Sequence, residues 1–213
     1  MARCIPQWLG TIAIMAAASA AWADTQYSYI AQPSASNLSG GPVTVAIYLF
    51  ESNVGAFSIA GDGGLAGTAF QVTRDGSFFA KITGVDNDPT NFSLYTAGNS
   101  TITDAKAVLA TECTLLGSPA PVGGWLHLGS VTIAAGTGVG MSTFTVASAG
   151  TGNTVTLNGT DLDTPGTGYV PATSSTFTIS AVPEPTFLGL ALTGSMLLLR
   201  RRTAQGGKRT MPN

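Results

Sequence analysis

Two pairs of aspartates have the spacing of calcium ligands. The segments Asp86-Asn87-Asp88 and Asp161-Leu162-Asp163 each place two carboxylates two residues apart, and loops that bind calcium use oxygen ligands at that spacing. An EF-hand loop beginning at Asp86 would need glycine at its sixth position and an acidic residue at its twelfth, where Asn91 and Ala97 stand. The four aspartates are therefore candidates for a calcium site outside the EF-hand pattern. Capping of turns beside the neighbouring prolines is the alternative.

Acid-base or nucleophilic catalysis has few candidate residues. His127 is the sole histidine, which excludes a multi-histidine metal site, and no Gly-x-Ser-x-Gly elbow accompanies it. Its place beside Trp125 on an apparent strand predicts a structural or rim histidine. Glycoside hydrolysis needs two facing carboxyl groups, and the two glutamates of the body, Glu51 and Glu112, lie in no known motif. We predict a protein that is not an enzyme, with a polysaccharide-acting hydrolase as the alternative.

Aromatic side chains offer a third kind of chemistry, the stacking of sugar rings. The candidate platforms are Tyr48, Tyr95, Trp125 and Tyr169. Buried positions in a core are the alternative for the same residues. An exposed row of these rings would favour a carbohydrate-binding module.

The body that positions these side chains has the pattern of a β protein. Residues Val43 to Phe50 alternate with apolar residues on both faces, as in a central strand. Further strands are predicted at Ala66 to Val72, Ser77 to Ile82, Trp125 to Ile133, Ser142 to Ala147, Thr154 to Leu157 and Ser175 to Ala181. Glycine-rich turns separate them. We expect a shared core to contain Val45, Ile47, Leu49, Val131 and Ile133.

One segment of the body, Ile102 to Leu116, predicts a helix, with Asp104 near its start. Seven or more short strands with turns between them predict an antiparallel β-sandwich of jelly-roll or immunoglobulin-like outline. The extended run, the glycine-rich hinge and the strand Ala66 to Val72 are similar to the start of cohesin-like or carbohydrate-binding sandwiches. That resemblance implies a fold and no function.

The C-terminal region contains three elements in a fixed order. They are Val182-Pro183-Glu184-Pro185, the apolar run Thr186 to Leu199 and the basic cluster Arg200-Arg201-Arg202. The run is shorter than the roughly 20 residues that span a bilayer core, so the membrane must thin or the arginines must snorkel. We expect one transmembrane helix, with the arginines as a cytoplasmic stop-transfer cluster and the body outside. A buried core helix is the alternative.

This order resembles the PEP-CTERM sorting tail of exported bacterial proteins. The resemblance covers residues 182–202 and implies that a membrane protease-transpeptidase of the exosortase type recognises the tail and processes it near Pro183-Glu184-Pro185. Proteins with this tail are associated with extracellular polysaccharide and biofilm, so a cell-surface or matrix role is implied. Residues Thr203 to Asn213 continue past the arginines, which departs from the pattern of the family.

The N-terminus has the pattern of a secretory signal peptide. Arg3 precedes the apolar run Leu9 to Ala18, and Ala21-Trp22-Ala23 is a small-x-small cleavage site that would leave Asp24 first. The chain thus divides into a helical signal peptide (1–23), one β-sandwich domain (24–181), the sorting tail (182–202) and a basic extension (203–213). We expect the general secretion machinery to export the chain and the precursor to be anchored in the inner membrane. The processed protein is then expected in the cell envelope, on the cell surface or outside the cell.

Charge limits the partners of the body. Residues 24–182 contain ten acidic residues against the three basic residues Arg74, Lys81 and Lys106, a net charge of −7. So few cations cannot neutralise phosphates, and nucleic-acid binding is excluded on electrostatic grounds. Extracellular polysaccharide is an expected partner.

Overall fold

The computed structural model describes residues 24–55, 57–92, 100–112 and 119–182. These residues contain no helix, which confirms the all-β prediction. The strands are β1 (Thr25–Pro33), β2 (Val43–Ser52), β3 (Leu65–Arg74), β4 (Ala80–Asn87), β5 (Ser100–Thr103), β6 (Lys106–Glu112), β7 (Trp125–Ala135), β8 (Gly140–Ser148), β9 (Val155–Thr156), β10 (Tyr169–Thr173) and β11 (Ser175–Ala181).

The strands form two sheets. Sheet A has the order β10-β1-β2-β7-β4, and sheet B has the order β11-β8-β3-β6-β5, with β9 paired to β3. The pairing is antiparallel except between β1 and β10, which run parallel. Apolar side chains from both sheets form one buried cluster. The predicted sandwich is confirmed.

The core follows the alternation of the central strands. On β2, Val45, Ile47 and Leu49 are fully buried, as are Val131 and Ile133 on β7, so the prediction of a shared core is confirmed. Side chains of sheet B complete the cluster, among them Phe70, Val72, Leu109, Phe144 and Val146. Burial of this apolar surface is the main stabilisation of the fold.

The helix predicted over Ile102 to Leu116 is wrong for the described residues. Residues 100–112 form the hairpin of β5 and β6, and β6 pairs with β3 over seven residues. Ala107, Leu109 and Thr111 are buried at every second position, which is the strand period. Pairing with β3 buries this face, so tertiary contacts override a weak helical pattern.

Two other expectations need correction. The strand expected at Ser77 to Ile82 is β4, which begins at Ala80, because Asp75 accepts hydrogen bonds from the backbone N and the hydroxyl of Ser77 and holds that segment in a turn. Strands β1 and β10 were not predicted. In β1 the buried Tyr27 and Tyr29 alternate with Gln26 and Ser28, so its strand signal is carried by aromatic residues, whereas β10 is short and contains Pro171.

Strand direction places one set of loops at one end of the sandwich. The registers Pro33↔Val45, Ala80↔Ala135 and Ala181↔Gly140 put the loops 34–42, 75–79 and 136–139 together with Val182, the last described residue. We call this the tail end, because the chain leaves the sandwich here. The opposite end is the far end.

The described ranges include no helix long and apolar enough to cross a membrane. The signal peptide with Ala21 and Ala23, the motif from Pro183 to Pro185, the apolar run and Arg200-Arg201-Arg202 all lie outside the described residues. Those predictions stay predictions.

Candidate functional site

An aromatic row lies on the outer face of sheet A. It consists of Phe50 and Tyr48 of β2 and Trp125 and His127 of β7. Ring centroids are 4.5 Å apart for Phe50 and Trp125, 5.6 Å for Tyr48 and Trp125, and 5.0 Å for Tyr48 and His127. Trp125 is 37% exposed and the other three are half-buried. The row is a continuous aromatic surface open to solvent.

A bulge in β7 creates this row. The pairing of β2 with β7 shifts between Ile47 and Tyr48, where the partner residue changes from Gly129 to His127. Before the bulge the odd-numbered Trp125 and His127 face outward, whereas Val131, after it, faces the core. One extra residue on one strand reverses which face a side chain occupies.

A carboxylate fixes the orientation of the histidine in the row. His127 Nδ1 donates to Asp88 Oδ2 at 2.9 Å, and Asp88 also accepts from the backbone N of Thr90 and from Asn91 Nδ2, both at 2.9 Å. Burial opposes ionisation of Asp88, but the hydrogen bonds from Thr90 and His127 outweigh it and hold the pKa of Asp88 below its usual value. Asp88 is therefore an acceptor that positions His127.

The row has the chemistry of a sugar-binding surface. Aromatic faces pack against the apolar faces of sugar rings, and neighbouring polar groups bond to hydroxyls. The planes of Tyr48 and Trp125 are perpendicular, at 90°, so the rings do not form one flat platform. The shape suits a single sugar chain better than the flat surface of an insoluble crystal.

The other predicted platforms differ in position. Tyr169 is wrong as a platform, because its ring is buried against Phe57 at 4.8 Å and its hydroxyl donates to Asp161 O at 2.9 Å. Tyr95 lies outside the described residues. Phe50 was missed by sequence reasoning, although its alternation with Leu49 and its place opposite Trp125 carry the signal.

Three of the four calcium candidates, Asp88, Asp161 and Asp163, lie in two different loops and already accept hydrogen bonds. Asp161 accepts from Gly152 N and Asp163 N, and Asp163 Oδ2 accepts from Asn153 N and Thr154 N. Among residues 24–55, 57–92, 100–112 and 119–182, no group of three or more metal-ligating side chains comes together. The bond from Asp163 N to Asp161 is a local turn bond, whereas the bonds from Gly152, Asn153 and Thr154 join this segment to the loop that follows β8.

Asp86 is exposed near the end of β4, opposite Ser130. Asp163 Oδ1 is buried without a hydrogen-bond partner in the described structure. Calcium binding by Asp86, Asp88, Asp161 or Asp163 stays a prediction.

A cleft of about 390 Å³ lies on sheet B beside the loop that follows β8. Its described lining is mostly small and includes Gly67, Ala69, Ala110 and Thr111, with Glu112 as its acidic residue. A hydrolase of the two-carboxylate type needs a general acid with a raised pKa.

The carboxyl groups of the domain with a resolved pKa shift have lowered pKa values, the opposite of what a general acid needs. The hydrogen bond from Thr156 lowers the pKa of Asp62, and that from Ser77 lowers the pKa of Asp75. Asp88 shifts in the same direction. Groups held ionised in this way are poor proton donors at neutral pH.

No protein-family model and no curated protein matches this chain. Several solved structures are similar in outline. A chain of a type I cohesin–dockerin complex from Clostridium thermocellum is 11% identical, covers 73% of this chain and 99% of its own length, and gives a TM-score of 0.47.

Two further structures give comparable values. The seventh ScaB type I cohesin from Pseudobacteroides cellulosolvens is 15% identical over 74% of this chain and 92% of its own, with a TM-score of 0.44. A type II cohesin domain from the cellulosome of Acetivibrio cellulolyticus is 11% identical over 72% and 95%, with a TM-score of 0.45. At TM-scores below 0.5 nothing about the partners of this chain follows.

Proposed function

We propose that this chain is a non-enzymatic exported protein of the cell surface or extracellular matrix. In this proposal, the general secretion machinery exports it and its C-terminal apolar segment holds the precursor in the inner membrane. An exosortase-type enzyme then processes it near Pro183-Glu184-Pro185. The mature domain associates with exopolysaccharide or biofilm material.

The observation that carries the proposal is the position of the motif relative to the fold. Strand β11 ends at Ala181 and the described domain ends at Val182, so Pro183 follows the last core strand almost directly. A processing site outside the core can be cut without disturbing the buried cluster. The carboxylates of Asp62, Asp75, Asp88, Asp161 and Asp163 accept hydrogen bonds, which supports a role without catalysis.

Processing makes a prediction about the mass of the exported protein. In a host that carries an exosortase-type enzyme, the mature form is expected to begin at Asp24 and to lack the residues after about Glu184. Intact-mass measurement of the exported protein tests this. A mature species that still contains Arg200 to Asn213 would contradict processing.

Substitution in the motif sharpens that test. Glu184→Ala is expected to leave the tail attached, because the motif would no longer be recognised. Glu112→Ala, at an exposed glutamate that ends β6 and lies outside the motif, is the matched control and is expected to be processed normally. Equal processing of both variants would show that the glutamate is not part of the signal.

The aromatic row favours a second candidate function, carbohydrate binding on the same sandwich. Trp125 supplies the most exposed ring and Tyr48 a second, with Asp88 and His127 at one end for hydroxyl groups. Soluble polysaccharides from biofilm matrix are the ligand class that fits a row whose rings are not coplanar.

Removal of the largest ring is expected to weaken such binding. Stacking on an aromatic face is worth about 1 kcal/mol, so Trp125→Ala should reduce affinity roughly fivefold. Affinity electrophoresis in gels containing the polysaccharide measures the change. Phe78→Ala, at the other end of the sandwich, is the control and should migrate like the parent. Unchanged retardation of the Trp125 variant would refute binding at the row.

A further inference from the structure

Three large apolar side chains are exposed in the loops and at the strand start of the tail end of the sandwich. Phe78, Val139 and Met141 are 66%, 58% and 65% exposed, and they lie in the loop before β4, the loop before β8 and the start of β8. A backbone hydrogen bond of 2.7 Å from Thr137 N to Phe78 O joins the two loops. The three side chains therefore lie at the same end of the sandwich, and we call them the apolar rim.

The basic side chains of the domain lie at the same end as the apolar rim. The guanidinium carbon of Arg74 lies 5.1 Å from the centre of the Phe78 ring, and Arg74 and Lys81 line a small cavity of about 150 Å³ with that ring. Lys106 pairs with Thr73 at the start of β6. These three are the only basic residues in the sequence from 24 to 182.

The charge of the domain is therefore divided along its length. Asp75 and Asp104 share the tail end with the three basic residues, which gives that end a net charge of +1. The other eight acidic residues of the domain lie away from it and carry −8 with no basic residue among them. A negatively charged surface would attract the tail end and repel the remainder.

The chain leaves the sandwich at this same end, and it is held there on both sides. Ala181 pairs with Gly140 of β8, and on the other edge Ser180 O accepts from Leu38 N while Ser180 N donates to Ser36 O, both at 2.9 Å. Residues 182–185 separate Ala181 from the apolar run that begins at Thr186. Fully extended, that link reaches about 17 Å.

We propose that the apolar rim and the basic side chains at the same end form a docking surface for a membrane of anionic phospholipid. Phe78, Val139 and Met141 enter the headgroup region, while Arg74, Lys81 and Lys106 lie at the level of the phosphates. The inference rests on the proposed function in one respect, because a membrane-inserted tail brings this end of the domain to the lipid.

Docking would have a consequence for processing. Because the link is so short, a docked domain can take only one orientation on the membrane. In that orientation Pro183-Glu184-Pro185 lies beside the membrane surface, where a membrane enzyme works. A surface of three apolar side chains binds weakly alone, and the tether raises its effective concentration. Once the tail is cut, the tether is lost and the domain is free to leave the membrane.

Vesicle binding tests the docking surface. The buried core of the described residues runs from Tyr27 to Ala181, so a protein of residues 24–182 contains that core without the apolar tail. It is expected to co-sediment with vesicles of phosphatidylglycerol and phosphatidylcholine, weakly with pure phosphatidylcholine, and less as salt rises. A tryptophan in place of Phe78 (Phe78→Trp) should show a blue-shifted emission on the anionic vesicles.

Paired substitutions distinguish binding through this surface from nonspecific hydrophobic binding of the domain to vesicles. Phe78→Ser with Met141→Ser should lower binding to anionic vesicles about tenfold or more, in line with the loss of two interfacial apolar side chains. Val54→Ser with Val122→Ser is the matched control, since both residues are exposed and lie at the far end, and it should bind like the parent. Melting temperatures confirm that the variants fold.

Three results would overturn the proposal. The first is that the parent domain does not bind anionic vesicles. The second is that the Val54 and Val122 control loses as much binding as the Phe78 and Met141 variant, and the third is that the Phe78 and Met141 variant still binds like the parent. Self-association of the domain that this variant abolishes would identify a second copy as the occupant instead. Intact mass tests tail processing separately, so failure of docking and failure of the proposed function are distinguishable.

Discussion

Ile47→Asp is expected to destabilise the domain by about 3 kcal/mol or more. Ile47 lies at the centre of β2, fully buried between the sheets, and its neighbours Val45 and Leu49 point into the same cluster. A carboxylate there loses its hydration without gaining a partner. Because single domains have a margin of about 5–15 kcal/mol, such a loss is a large share of it. Urea unfolding of residues 24–182 measures the change.

The matched control lies on the same strand. Thr44 is exposed on the opposite face of β2, so Thr44→Asp introduces the same carboxylate into solvent and should cost little. Thr137, exposed in a Gly-Thr-Gly turn, should tolerate the same change. If Ile47→Asp melted like the parent, the inward orientation of β2 would be wrong.

Alkaline pH is expected to produce the second large effect, a fall in the free energy of unfolding above about pH 10. Tyr27 and Tyr29 of β1 are buried. Burial raises the pKa of Tyr29 to about 12, although its hydrogen bond with Thr154 works in the opposite direction. Burial, and then the neighbouring charge of Glu51, raise the pKa of Tyr27 in the same direction.

The sign follows from proton binding. Unfolded tyrosines lose their protons near pH 10, while the folded protein keeps them. Stability from these groups is therefore complete below about pH 10 and falls as the pH rises towards the folded pKa values. For Tyr29 the loss is on the order of 2–3 kcal/mol once the pH passes about 12.

Unfolding midpoints measured between neutral and strongly alkaline pH test this expectation. Tyr29→Phe removes the hydroxyl and its bond to Thr154, so this variant should be less stable at neutral pH but should show a flatter alkaline decline. Tyr27→Phe should do the same, and it also takes a donor from the buried carboxylate of Glu51, 3.0 Å away. A parent whose stability stayed constant to about pH 12 would contradict the burial of both hydroxyls.

The buried strands could be predicted from sequence because their pattern is local. In Val43 to Phe50 every second side chain faces the core, so the strand and its buried face follow from neighbouring residues alone. The glycine-rich turns mark where strands end. The hairpin of β5 and β6 could not be predicted in this way, because Lys106–Glu112 becomes a strand through its pairing with β3. Strand preference of that kind depends on neighbours that are distant in sequence.

For the candidate site, the sequence identifies the residues of the aromatic row but not the face of the sheet on which each side chain lies. Tyr48, Trp125 and His127 were identifiable as aromatic or polar candidates, but strict alternation through β7 would place Trp125 and Val131 on one face. The bulge opposite Ile47 and Tyr48 separates them. The contact between His127 and Asp88 joins residues 39 positions apart, which no spacing rule predicts.

The sequence by itself determined the all-β class, the inward faces of β2 and the order of the proposed sorting elements, because each depends on composition or short-range periodicity. Tertiary structure alone decided the aromatic row and the apolar rim. Phe78 and Met141 are 63 residues apart in sequence and lie at the same end of the sandwich only because β4 and β8 both begin there. Such proximity is set by strand direction and register, which residues far apart in the chain fix together.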